Sequence, residues 1–217
     1  MKTGLNLEDW YNIFALKKCA VPYSTKWRSG RLFRQRLGLC WRHSRRNSTL
    51  SGNVATETSG GIDNFLGEAS VEFSTVTENS ANSGGGIENA ASISIKNSLV
   101  VNSAAGNNCV NDGGTFTALG VNFATDASCA GFTQTTAGEV NLGPLADNGG
   151  PTQTHALLSG SVAIDAALDC TLSDGATPVT QDQRGQARPA GAECDSGAFE
   201  GSEVLPNTIF LDGFESE

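Results

Sequence analysis

The sequence predicts an all-β chain: a right-handed parallel β-helix of few coils, with a C-terminal loop-rich cap and an irregular N-terminal segment. Three observations carry this prediction. Short phrases recur about every 25 residues, apolar and polar residues alternate within a phrase, and Gly or Asn punctuates the junctions. "SGGIDN" (59–64) and "GGGIEN" (84–89) align Gly61 on Gly86, Ile62 on Ile87 and Asn64 on Asn89. "NSTLSGN" (47–53), "FSTVTEN" (73–79) and "NSLVVN" (97–102) follow at spacings of 26 and 24 residues. Ser, Asn, Gly and β-branched residues are poor helix formers, so the repeating unit is built of strands.

Each element follows from local pattern. In "ASISIKNSLVV", Ile93 and Ile95 alternate with Ser94 and Lys96, the period of a half-buried strand. The apolar phase slips at Lys96–Ser98 and again between Phe73 and Val76, as a bend between two faces requires. Asn tolerates the left-handed backbone used at such corners. Equivalent positions then stack about 4.8 Å apart on parallel ladders. Leu50, Val76 and Val100 form one inward column, and Asn53, Asn79 and Asn102 form a corner stack. Handedness follows from the near-universal right-handed crossover of parallel strands. Two to three coils are few for a solenoid, which ordinarily needs at least three plus caps. The chain therefore reads as the C-terminal end of a longer helix, with upstream coils as its nearest partner.

Charge divides the 217 residues. Residues 1–47 hold eleven of the fourteen Lys and Arg and only Glu8 and Asp9, whereas 48–217 hold Lys96, Arg184 and Arg188 against twenty-one acids. All Trp and Tyr also precede residue 48. The domain reading is a basic segment at 1–46 foreign to the repeat, through a frame error or displaced start, then coils at 47–107. Further coils and the cap follow at 108–200, and a linker and tail at 201–217. A basic aromatic arm that binds nucleic acid or anionic lipid is the functional alternative for 1–46. The acidic remainder disfavours nucleic acid. No run approaches the ~20 apolar residues of a membrane-spanning helix, and no signal-peptide core is present in the chain as written.

Cys109, Cys129, Cys170 and Cys194 form a set of four in the second half. Pairing by proximity joins Cys109 with Cys129 and Cys170 with Cys194 in an oxidising compartment, although four cysteines allow three pairings. Cys19 and Cys40 are expected to stay unpaired. Zinc is disfavoured, because no CxxC occurs and His155 is the only histidine after His43.

Three longer words carry a resemblance: "LGPLADNGGPTQTHALLSGSVAIDAALDC", "DQRGQARP" and "ECDSGAFE". They resemble the choice-of-anchor Q domain of bacterial right-handed β-helix proteins with polymorphic-outer-membrane-protein-like repeats, over about residues 47–200. The resemblance implies a secreted or surface-exposed protein, adhesin-like or structural. Partners would be carbohydrate or a host or cell-surface protein. "NTIFLDGFESE" resembles the short "IFxDGFE" endings of exported bacterial proteins and reads as a sorting or attachment tag.

The candidate site residues are structural. "GPLADNGGPTQTHALL" (143–158) reads as a lid over the end of the helix, with His155 as a capping residue. A Ser–His–Asp triad would need Ser159 or Ser161 and Asp165 around His155, but no G-x-S-x-G elbow supports it. A pectate-lyase or polygalacturonase-like enzyme is the alternative. It would draw on Asp147, Asp182, Asp195, Arg184 and Arg188, which lie in scattered loops. Arg184 and Arg188 instead suit a staple that holds carboxylates bidentately, with Arg184 meeting Asp165 or Asp195. No cofactor is expected; calcium at an acidic loop such as Asp112 or Asp147 is the one metal the sequence leaves room for. "SGGG" (83–86) lacks the Lys-Ser/Thr of a phosphate loop and reads as a close-packed corner.

Overall fold

The computed structural model describes residues 15–16 and 41–201. It is an all-β parallel β-helix of about three turns, with almost no helix. β1 (Ala15–Leu16), β2 (Trp41–Arg46) and β3 (Thr49–Ser51) precede the first complete coil. That coil is β4 (Ile62–Asn64), β5 (Glu68–Glu72) and β6 (Thr75–Thr77). The second is β7 (Ile87–Asn89), β8 (Ser92–Lys96) and β9 (Leu99–Val101), and the third β10 (Cys109–Asn111), β11 (Thr115–Leu119) and β12 (Phe123–Ala124). Three parallel sheets result: β2-β5-β8-β11, β4-β7-β10 and β3-β6-β9-β12-β13, where β13 is Thr133–Gln134.

The register is the one the repeat predicts. Ile62 pairs with Ile87 and Asn64 with Asn89, while Leu50, Val76 and Val100 share one column. Val71–Ile95–Ala118 and Ala69–Ile93–Phe116 are further columns. The interior core comprises Ala69, Val71, Val76, Ile93, Ile95 and Val100 with Ile87, Cys109, Ala124 and Cys129. Each fully buried Ile or Val contributes about 1.5–3 kcal/mol.

The phase slips mark two columns of left-handed corner residues. One is Asn47, Phe73, Asn97 and Gly120, the other Gly52, Glu78 and Asn102. Between them runs a ladder absent from the sequence reading. The backbone amides of Ser48, Ser74 and Ser98 donate to the side-chain oxygens of Ser74, Ser98 and Asn122 one coil further on. The Asn stack needs one correction. Asn53 donates to Asn79 Oδ1 at 2.9 Å, but Asn102 aligns with Glu78, whose amide donates to its carbonyl. "NSLVVN" is one residue shorter than "FSTVTEN", so its last Asn stands opposite Glu78 and not Asn79. The longer amide ladder is Asn64–Asn89–Asn111, at 2.6 and 2.7 Å.

The first sheet also continues upstream of residue 47. β2 extends the first sheet from Trp41, with Arg42 opposite Glu68 and Arg46 opposite Glu72. Its sequence, WRHSRR, lacks apolar alternation; parallel pairing requires extended backbone, and β5 supplies the register. β1 pairs antiparallel with β2. The rest of the proposed arm (1–14 and 17–40, with Cys19 and Cys40) and the tail after Gly201 lie outside the described residues.

The lid is likewise not where the sequence reading put it. The third coil is covered by 125–135, which carries Cys129 and Phe132 onto the interior core. Asp126 Oδ2 and Ser128 Oγ accept the amides of Asn108 and Cys109, each at 2.9 Å, and so replace carbonyls that a following coil would offer. The Cys109–Cys129 disulfide closes the same end. The chain then turns through α1 (Ala137–Val140), capped by a reciprocal Thr136–Glu139 box. Residues 143–158 follow as the hairpin of β14 (Leu142–Ala146) and β15 (Thr154–Leu157), lying along the side of the helix.

Candidate functional site

The flank of the third sheet is where the chain's remaining polar chemistry collects. β6 and β9 are buried at every position, because Val76 and Val100 face inward and their neighbours are covered from outside. Leu99, Val101 and Phe123 form an outer core with Val140, Leu157 and Ala163, supported by Leu142, Ile164 and Phe199. A third cluster joins Phe73 to Ala167, Val179 and Cys194.

The lobe of residues 142–201 bonds to every level of the stack. Ser196 Oγ donates to Val121 O at 2.8 Å, Gly197 N to Asn97 O at 2.9 Å and Ala198 N to Thr75 Oγ1 at 3.0 Å. Thr49 Oγ1 donates to Gln183 Oε1 at 2.7 Å. His155 belongs to the same strap: its ring nitrogens lie 2.8 Å from Gly143 O and 2.8 Å from Ser51 Oγ. Ser161 Oγ donates to Val140 O, and not to the His155 ring.

A buried ionic cluster locks the strap. Arg188 donates from Nη1 to Glu200 Oε2 (2.6 Å) and Asp195 O (2.8 Å), and from Nη2 to Gly197 O (2.6 Å); its guanidinium lies 4.8 Å from the Phe73 ring centroid. Arg184 meets Asp182, not the expected Asp165 or Asp195. The turn at 182–186 sets this choice: Asp182 Oδ1 accepts the amides of Arg184 and Gln186, which brings its Oδ2 to Arg184 Nε at 2.8 Å. Arg184 also stacks 3.5 Å over Phe199. Asp165 serves the backbone instead, accepting Glu193 N. Asp195 accepts the amides of Asp165 and Gly201, with no guanidinium on its carboxylate.

Burial dominates the electrostatics here. It pushes the Asp195 carboxyl up to about 7, with Glu200 adding repulsion, and raises Glu200 as well. Burial lowers Arg188, against the pull of Glu200, Asp182 and Asp195. Lys96 is used similarly further along, bonding Asp169 Oδ1 at 2.7 Å. Burial raises the Asp169 carboxyl, but the bonds from Lys96 and Thr171 outweigh it and leave the group below its ordinary range. The Cys170–Cys194 disulfide ties the two ends of this loop system, and both disulfides match the proximity pairing.

A groove of about 470 Å³ lies on the outer face of the first sheet. Ser44, Ser70, Ser94 and Thr117 run along its floor as one register column, with Glu68 beside them and Asp174 on the wall. Thr177 and two backbone amides hold the Asp174 carboxyl down to about 2. Among the described residues no group of three His, Cys, Asp or Glu is placed to hold a metal ion, and no helix is long and apolar enough to cross a membrane.

Fold and site define a class: a short parallel β-helix braced along one side by a disulfide-bonded, ion-paired lobe. No family model, curated protein or solved structure matches the chain.

Proposed function

We propose that this chain is a non-catalytic β-helix protein of the cell surface or the secreted space, with a structural or adhesive role. The observation that carries the reading is where the reactive side chains have gone. His155 bonds the lobe to Ser51 and Arg188 lies over Phe73 of the coils, while Arg184, Asp182, Asp195 and Glu200 are committed to bonds within the lobe. From residue 47 to 201 the only Lys and Arg are Lys96, Arg184 and Arg188, and their side chains are 7, 11 and 0 % exposed. That stretch offers carboxylates without a free cation, and the exposed cations Arg45 and Arg46 are confined to β2 at one end of the stack, so the rest of the surface disfavours polyuronate substrates as well as nucleic acid. Two disulfides support an oxidising location. The hydroxyl-floored groove is the face offered to a neutral glycan or a protein.

Polygalacturonate incubated with the full chain, with and without calcium, tests the catalytic question. No unsaturated or reducing sugar should be released, and turnover that follows the protein through purification overturns the reading. Capture of cells or neutral glycans that Ser70→Arg and Ser94→Arg abolish would make the role adhesive; absence of any capture leaves the structural role.

A further inference from the structure

The ionic cluster under the lobe is unbalanced. Three carboxylates, Asp182, Asp195 and Glu200, are buried beside one buried guanidinium, Arg188, and one half-buried guanidinium, Arg184. Asp182 takes Arg184 and Glu200 takes Arg188, which leaves Asp195 buried with two backbone amides and no cation of its own. It is tied to its like-charged neighbour directly, since Asp195 N donates to Glu200 Oε2 at 3.1 Å. The charged groups around it are Glu200, Arg188, Asp182 and Arg184, with Asp165 across the loop. The coil residues its segment bonds, Val121, Asn97 and Thr75, are neutral. A buried carboxylate without a cation is driven to take up a proton.

We infer that the lobe is a proton-operated clasp: Asp195 holds a proton when residues 195–201 are seated on the coils, and losing it loosens that segment. The segment is suited to transmit the change, because Ser196, Gly197 and Ala198 contact three successive coils. The seated form binds a proton that the open form releases once pH exceeds the ordinary carboxylate range. Clasp stability is therefore full below the ordinary carboxylate range, falls as pH rises through it towards 7, and levels off above about 7. A surface protein built this way grips tightly in acid and relaxes at neutral pH.

Amide hydrogen exchange on the full disulfide-bonded chain tests this, corrected for intrinsic rates and read at pH 5 and pH 7. Opening at Gly197 and Ala198 should rise on the order of a hundredfold relative to the amides of β6 and β9. Asp195→Asn should flatten that dependence. The carboxyl carbon of Asp195, followed by NMR in the unaltered protein, should titrate near neutrality, so the inference does not depend on the variant folding. Titration of Asp195 near pH 4, or lobe amides that track the coil amides at every pH, would overturn it.

Discussion

The inside of the coils and the lobe on their flank are stabilised in different currencies. Inside, each residue meets its own equivalent one coil away, so one solution is copied: Ile62 over Ile87, Asn64 over Asn89 over Asn111. Partners are separated by 22 to 26 residues, and apolar burial supplies most of the energy. On the flank nothing is copied. Ser173 meets Glu72 across 101 residues and Asn47 meets Gln181 across 134, and each bond is unique. Solenoid interiors tolerate local loss because neighbouring rungs persist. A brace made of single contacts has no such reserve.

Removing Arg188 should break this comparison most severely. Arg188→Ala leaves Glu200 buried without its cation and uncovers the Phe73 ring, at a cost of about 3–5 kcal/mol. A melt should show a fall on the order of 10 °C. Unchanged stability would mean that the cluster does not hold the lobe.

Leu99→Ala and Ile95→Ala sharpen the contrast between outside and inside. Ile95 faces the interior core and Leu99 the outer core, yet both are fully buried. Each substitution should cost about 2–5 kcal/mol in urea titration. If Leu99→Ala costs no more than a surface change, the lobe does not cover β9.

Loss of the Cys170–Cys194 disulfide comes next, at about 3 kcal/mol for its loop. Replacing both cysteines by alanine should raise hydrogen exchange in residues 165–200 and leave β7 and β8 protected. Equal loss of protection in both regions would argue against separate stabilisation of lobe and coils. Arg184→Lys should have the smallest effect, roughly 1 kcal/mol, since Lys keeps the charge but loses the stacking on Phe199 and the second nitrogen on Asp182.

The same division explains what the sequence made legible. The repeat placed Leu50, Val76 and Val100 in one column because translation by one coil preserves both chemistry and register. It also exposed the corners, since Asn47, Phe73 and Asn97 sit where the apolar phase slips. The disulfides followed from proximity. Arg184 was recognisable as a staple by its isolation among acids, but its partner was set by the turn at Asp182, which no periodicity announces. Arg188 was recognisable as a staple on the same ground, but nothing local singled out Glu200 among the acids as its partner. The run Leu99–Val101 was the missed clue to the lobe's position. Three consecutive buried residues in a strand require cover on both faces.

The central claim is that residues 142–201 lie along the flank of the coils and do not cap their end. Side-chain proximities by NMR on the oxidised full chain test it most directly. Contacts are expected from the His155 ring to Ser51, from Ala198 to Thr75 and from Ser196 to Val121, which together span the stack. Contacts from His155 and Ala198 to Phe116 or Phe132 at the closed end, with none to Ser51 or Thr75, would contradict it.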